Sequence, residues 1–187
     1  MKKALILLAL FPLLVFAQRK KSIDGFLDIP FGSDSVTVKN EIVKRGGIKI
    51  DSLSEKDMLS FSGLTLANRK TLFCVVKFVD NKAYEADLGF ADFDQMNSLS
   101  YYDDLAEDIA AVYGAGQTSN NFGNSNNEKR IKRLIAGSAF GQTVWRTKNK
   151  NTIFLYFQSI NGSLQIILQY QDHGLWNLNS SKRRSSL

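Results

Sequence analysis

The sequence predicts an α+β protein built as a tandem repeat, in which a helix precedes an antiparallel β-meander and the helices pack on one face of an antiparallel sheet. Three observations support this fold class. Residues 70–92 and 151–172 share one layout: a polar residue, a threonine, an apolar strand, a turn, a second strand and a closing aspartate. Both segments contain a two-residue turn. A segment with helical character precedes each of them along the chain.

The turns of the two segments are Asp80-Asn81 and Asn161-Gly162. These residue types tolerate positive φ, so the alternating runs around them predict hairpins. Alternation assigns one face of each strand to the core. The core-facing sets are Leu72, Cys74, Val76 and Phe78; Tyr84, Ala86, Leu88 and Phe90; and Leu164, Ile166, Leu168 and Tyr170. The residues assigned to the opposite face are Glu85, Asp87, Gln165 and Gln169.

Two segments are predicted to be helices. The stronger is Ser98–Tyr113, which Gly114 ends. Its apolar stripe consists of Tyr102, Leu105, Ala106, Ile109, Val112 and Tyr113. The weaker segment, 33–45, starts with a Gly-Ser-Asp capping signal and stops at Gly46-Gly47.

Two further runs and a loop complete the units. A β-like run precedes each hairpin, at 58–66 and at 139–147. The segment QTSNNFGNSNN, 117–127, is rich in Asn, Ser and Gly, and is predicted to be a mobile loop. The predicted division of the chain is a signal peptide at 1–17, a basic N-terminal segment at 18–24, a first repeat at 25–97, a second repeat at 98–176 with its mobile loop at 115–128, and a basic disordered tail at 177–187.

The N-terminus has the three parts of a secretory signal peptide. Lys2 and Lys3 form the charged region, residues 4–16 form the apolar run, and Ala17 before Gln18 marks the cleavage site. The apolar run is shorter than the about 20 residues that a membrane-spanning helix needs, so we expect no transmembrane anchor after cleavage. Position 18 is not a cysteine, which excludes N-terminal lipidation there. The sequence therefore predicts a periplasmic or secreted protein.

The positive charge of the chain lies mainly at its two ends. The formal charge of +6 falls to +4 when Lys2 and Lys3 leave with the signal peptide, and residues 19–21 and 182–184 carry six of the remaining positive charges. Such short basic ends do not make a folded basic face, so we expect no nucleic-acid partner. The single cysteine cannot form an intramolecular disulfide, and stability must come from burial.

The opening segment GFLDIPFGSDSVTVKNEIVKRGG, 25–47, resembles the openings of uncharacterised exported bacterial proteins. The duplicated layout of 25–173 resembles the group of β-lactamase-inhibitory proteins and outer-membrane-assembly lipoproteins (BamE-like proteins). That resemblance implies a fold and no functional residue. The chain differs from the inhibitors in lacking their disulfides and in having one predicted helix per repeat instead of two, and it differs from the assembly proteins in lacking their lipid anchor.

No residue set predicts catalysis, a cofactor or a metal site. Cys74 and His173 could form a nucleophile and base, but an inward strand position predicts an inert, buried thiol, and His173 is expected in a turn. Asp92-Phe93-Asp94 partly matches a calcium loop, but the glycine and the distal glutamate of that motif are absent. The nine carboxylates of 80–108 are expected to be mainly a solvated face.

Export, the predicted duplication and the missing catalytic set predict a non-enzymatic binding module of the cell envelope, with a protein or an envelope polymer as partner. It would bind through one sheet face, the loop or the groove where the repeats meet. A hydrolase, a hydrolase inhibitor and a hydrophobic-ligand carrier remain alternatives. The seven basic residues of 129–150 could face the acidic segment or steer a partner, and Trp145 or Trp176 could be an exposed anchor.

Overall fold

The computed structural model describes residues 21–91 and 94–185 and has the predicted α+β class. Its helices are α1 (Ser35–Lys44), α2 (Ser98–Tyr113), α3 (Asn127–Ile135) and α4 (His173–Ser185). Its strands are β1 (Gly25–Phe26), β2 (Ile29–Pro30), β3 (Ile48–Lys49), β4 (Met58–Ser62), β5 (Thr65–Leu66), β6 (Arg69–Lys70), β7 (Phe73–Val79), β8 (Lys82–Phe90), β9 (Gln117–Asn120), β10 (Gly141–Arg146), β11 (Thr152–Ile160) and β12 (Ser163–Gln171). The predicted signal peptide, residues 18–20 and Asp92-Phe93 lie outside the described residues.

Eight strands form one antiparallel sheet in the order β3-β4-β7-β8-β12-β11-β10-β9. The predicted hairpins are present, because Asp80-Asn81 joins β7 to β8 and Asn161-Gly162 joins β11 to β12, all with positive φ. The β8–β12 pair joins the strands of the two predicted units. On each side of that pair, the sheet continues with the other strand of the unit's hairpin, β7 or β11. The next strand, β4 or β10, is the one that precedes the hairpin along the chain. Superposition of the two units, which a tandem repeat requires, stays a prediction.

The first face of the sheet carries the apolar side chains of the core. Helix α1 begins at an Asp34 cap, whose carboxylate accepts from the Thr37 N–H at 2.8 Å, and it buries Val38 and Ile42. Helix α2 matches its predicted bounds, and Gly114 ends it with a φ of 80°. The core residues that α2 and the central strands contribute are Tyr102, Leu105, Ile109, Cys74, Val76, Ala86, Leu88, Phe90, Ile153, Leu155, Ile166, Leu168 and Tyr170.

The segment predicted to be a mobile loop contains regular structure, which corrects that prediction. Residues 117–120 form edge strand β9, which pairs with β10, and α3 begins at Asn127. The Asn126 side chain caps α3 by accepting from the Lys129 N–H at 3.0 Å. Ile131 and Leu134 are buried against Leu164. The second unit therefore has two helices, not the one predicted.

The described part of the tail that was predicted to be disordered, 177–185, lies in helix α4, and His173, expected in a turn, begins that helix. Asp172 accepts from the Leu175 N–H at 2.8 Å, which satisfies one of the first N–H groups of the helix. The basic residues 182–184 lie in its last turn, where positive charge is favourable to the helix dipole. No helix among the described residues is long and apolar enough to cross a membrane.

A β-bulge in β8 changes the predicted alternation. Lys77 pairs with Glu85 and Phe78 pairs with Ala83, so Tyr84 has no partner in the ladder. The Tyr84 hydroxyl accepts a hydrogen bond from Asn179 of α4 at 2.9 Å. Tyr84 was predicted on the core face, but the bulge places it with Glu85. Helix α4 therefore covers one end of the second face of the sheet.

Candidate functional site

A groove opens between the β1–β2 hairpin, the β5–β6 hairpin and helix α2, and its volume is about 480 Å³. Both predicted units line it, and Tyr170 of β12 belongs to its wall. Its size is within the range of about 300–1,000 Å³ that is typical of ligand sites. The apolar and aromatic residues that line it are Leu27, Ile29, Pro30, Leu66, Ala67, Leu105, Ile109, Val112, Tyr113 and Tyr170.

The two hairpin tips beside the groove have an uncommon backbone conformation. Leu27-Asp28 and Ala67-Asn68 have positive φ at both positions, as two-residue hairpin turns of this kind require. Leu27 and Ala67 both have a φ of 47°, a region that Gly, Asn and Asp occupy more readily. The left-handed conformation costs such residues about 1–2 kcal/mol each. Both side chains line the groove, so two strained positions converge on one cavity.

Burial and polar contacts hold the tips in place. Phe26 and Ile29, which flank the first tip, are each 1% exposed. Arg69 anchors the second hairpin to α2, since it forms an ion pair with Asp108 and lies 5.6 Å from the centroid of the Tyr101 ring. The width of the groove is therefore set by contacts on both sides.

The rim of the groove carries charges of both signs. Asp28 lies 3.4 Å from the Lys21 ammonium and 3.4 Å from the Arg45 guanidinium. These side chains are exposed, so the pairs contribute little to stability and remain accessible to a ligand. Burial raises the pKa of Tyr113 and of Tyr170 above the ordinary tyrosine value, so both hydroxyls can act as hydrogen-bond donors in the groove.

A polar cluster lies on the second face of the sheet, and we call it the Lys77 cluster. The Lys77 ammonium contacts the carboxylates of Glu85 and of Asp87, the latter at 3.0 Å. Gln169 donates to Asp87 and Gln171 donates to Glu85, both at 2.9 Å. Every charged group of the cluster therefore has a partner within it.

Burial and ion pairing shift the pKa values of Lys77 and Asp87 in opposite directions. Burial alone would lower the pKa of Lys77, but the Asp87 and Glu85 carboxylates raise it above its ordinary value. Burial raises the pKa of Asp87, and Lys77 opposes that shift. Paired carboxylates can carry out acid–base chemistry, but here they are held by one ammonium and two amides. The geometry assigns the cluster a stabilising role.

The structure separates the two residues considered as a nucleophile and a base. Cys74 is fully buried on β7 between Phe61 and Leu88, which confirms the predicted burial, and burial raises the pKa of its thiol to about 12. His173 begins α4, and its ring lies 3.1 Å from the Asn177 amide. Neither residue has the surroundings of a reactive pair.

The other candidates also have structural contacts. Asp94 accepts from the Met96 N–H at 2.9 Å, and its neighbours 92–93 lie outside the described residues. Residues 21–91 and 94–185 contain no group of three His, Cys, Asp or Glu residues that could hold a metal ion. Trp145 is 3% exposed and donates to the Gly114 carbonyl at 2.8 Å, whereas Trp176 is 39% exposed.

The basic and acidic segments each form local ion pairs. Lys132 of the basic segment pairs with Glu128 at 2.6 Å. In the acidic segment, Asp108 pairs with Arg69 and Asp80 pairs with Lys182. These contacts reduce the charge that each segment presents to a partner.

Sequence reasoning did not identify the groove residues. The only signals for the two tips were Asp28 and Asn68, which favour positive φ, inside the short runs GFLDIP and LTLANRK. Comparison with protein families, with curated proteins and with solved structures finds no significant match. The assignment of the site therefore depends on its geometry.

Proposed function

We propose that this chain is an exported, non-enzymatic binding module of the bacterial cell envelope, and that its groove holds an apolar segment of a protein partner. The observation that carries the proposal is the pair of strained tips. Leu27 and Ala67 adopt an unfavourable backbone conformation on two separate hairpins, and both side chains line the same cavity. Strain of this kind persists at ligand sites, where it is part of the function.

The chemistry of the rim favours a protein over a lipid. Protein interfaces have an apolar centre and a polar rim, and the groove has both. A fatty acid carries one anionic head group, but the rim offers Asp24, Asp28 and Asp108 together with Lys21 and Arg45. A polypeptide with charges of both signs complements such a rim better than a single anion does.

Capture from envelope extracts tests the proposal with two matched variants. Val112 lines the groove and is 46% exposed, while Val43 of α1 is 48% exposed and lies outside the groove. Each is the penultimate residue of its helix, so a glutamate has similar effects on helix stability at both positions. We expect Val112→Glu to lose the partner that the unmodified protein and Val43→Glu retain. Equal retention by all three proteins contradicts the proposal.

The apolar lining also favours a second candidate function, the carrying of a hydrophobic ligand. Native mass spectrometry of protein purified without denaturation distinguishes the two. A stoichiometric small apolar ligand, lost in Val112→Glu, would support the carrier and would count against a protein partner in the groove.

Export is part of the proposal and has its own test. We expect protein recovered from the producing cells to begin at Gln18, because cleavage after Ala17 removes the predicted signal peptide. N-terminal analysis or intact mass checks this. Mature material that retains residues 1–17 would contradict export by this route.

A further inference from the structure

A second cavity lies away from the groove, and we call it the cleft. It is bounded by the N-terminal half of α2, by α3, by the edge strand β9 and by its neighbour β10, and its volume is about 260 Å³. The Asn- and Ser-rich segment 117–127 supplies part of its lining. The cleft is slightly smaller than sites for drug-sized ligands, so its size suits one small ring.

The polar lining of the cleft combines donors and acceptors with little net charge. Ser100, Ser119 and Asn127 contribute hydroxyl and amide groups, Asp103 contributes a carboxylate, and Arg130 contributes a guanidinium. A lining of this kind does not suit an apolar ligand. The presence of one carboxylate and one guanidinium in the same lining also disfavours a ligand with a strong net charge of either sign.

Arg130 is the cationic donor in the lining of the cleft. Its Nε atom is buried and has no hydrogen-bond partner, although buried polar groups are nearly always paired. The same guanidinium lies 5.6 Å from the centroid of the Phe122 ring, which fixes its position in the wall. This Nε atom is shielded from solvent, so a ligand hydroxyl in the cleft would accept from the terminal amino groups of the guanidinium.

Aromatic rings supply the apolar part of the cleft. Phe122 and Phe157 both line it, and Phe157 is stacked on Tyr102 with ring centroids 4.5 Å apart. A flat apolar wall next to a mixed set of donors and acceptors suits a molecule with an apolar ring face and hydroxyls at its edge. Each hydroxyl can both donate and accept a hydrogen bond.

We propose that the cleft binds one ring of a neutral saccharide, as a site separate from the groove. Arg130 and Asn127 would bind ring hydroxyls, and Phe122 would pack on the apolar face of the ring. An envelope binding module with this site would hold a glycan and a protein partner at the same time.

Titration of isotope-labelled residues 18–187 tests the proposal, with chitotriose, maltotriose and inorganic phosphate as separate probes. We expect at least one oligosaccharide, at millimolar concentration, to shift the amide signals of residues 100–103, 118–122 and 127–130. The signals of Leu27 and Ala67 in the groove should not move. If neither oligosaccharide shifts the cleft signals, or if only phosphate does, the proposal is overturned.

Variants locate the binding in the cleft. Arg130→Ala and Asn127→Ala should each weaken the binding of the oligosaccharide, by roughly tenfold or more for Arg130, because a hydrogen bond to a charged group is lost. Asn127 is exposed at the start of α3, so its variant should fold even if Arg130→Ala does not. Lys132→Ala on the same helix is the control and should bind normally. Unchanged affinity in Asn127→Ala together with either unchanged affinity or misfolding in Arg130→Ala would overturn the assignment.

Discussion

The Lys77 cluster and the groove both combine charged groups with apolar surroundings, but the charged groups differ in burial and in pairing. In the cluster, Glu85 and Asp87 are largely buried, and each is matched by Lys77 and by a glutamine amide. At the groove, the ion pairs of Asp28 are exposed and long, and the neighbouring backbone is strained.

This difference distinguishes a stabilising cluster from the proposed binding site. Removing a member of the Lys77 cluster leaves a buried charge without a partner, so the cluster is expected to matter for folding. Leu27 and Ala67, by contrast, hold turn positions that Gly, Asn or Asp would occupy with less strain, so both residues lower the stability of their hairpins. Strained residues cluster at functional sites in proteins, which is why we propose that the groove binds the partner.

The largest expected effect is on folding, from a substitution in the Lys77 cluster. Lys77→Met should lower the free energy of unfolding by about 2–4 kcal/mol, because Glu85 and Asp87 lose their cation, with part of the cost relieved by the partial exposure of Lys77. Lys182→Met breaks the exposed pair with Asp80 and should cost less than about 1 kcal/mol. Urea unfolding measures both. Equal costs would mean that the cluster is no more stabilising than a surface pair.

Cys74→Ser should cost about 1–3 kcal/mol, because it buries a hydroxyl where the thiol fits an apolar site, and should leave binding intact. Rapid thiol labelling of the native protein would contradict the burial.

Cys74 should also make stability depend on pH. Its folded pKa of about 12 is above the ordinary value of 9.0, so its contribution is fully present below pH 9 and is lost as the pH rises. Between pH 9 and about 12, the free energy of unfolding should fall more steeply in the unmodified protein than in Cys74→Ser, by up to about 1.4 kcal/mol per pH unit. If the free energy of unfolding of the two proteins falls equally steeply as the pH rises above 9, the prediction is contradicted.

The smallest expected change in stability is at a strained tip. Ala67→Gly should raise the free energy of unfolding by up to about 1 kcal/mol, since glycine adopts positive φ without strain but gains entropy in the unfolded chain. It should also weaken binding, because the methyl group lines the groove. Asn68→Gly is the control, because asparagine already tolerates this conformation. A clear loss of stability in Ala67→Gly would show that the tip is not strained.

The elements with strong local signals were predicted well from the sequence. The periodic stripe and Gly114 gave the bounds of α2, and the Asp80-Asn81 and Asn161-Gly162 turns gave both central hairpins. Helices α3 and α4 were missed because polar composition outweighed their capping signals at Asn126 and Asp172. Those caps were readable in the sequence, and composition alone was a poor guide.

The groove could not be predicted in the same way. Its walls come from β2, β5, α2 and β12, which are distant in sequence, and only the folded sheet brings them together. The bulge at Tyr84 is likewise set by pairing with β7, and simple alternation places that residue on the wrong face. Local patterns predicted the central hairpins and α2. The groove depends instead on long-range strand register and on contacts between elements that are far apart in the sequence.

The most direct test of the groove is site-specific photo-crosslinking in the cells that produce the protein. A crosslinking amino acid at Val112 reports on the groove, and one at Val43, which is equally exposed, reports on a surface outside it. The groove hypothesis predicts one defined envelope-protein adduct at position 112 and none at position 43. The same adducts at both positions, or an adduct at position 43 alone, would contradict it.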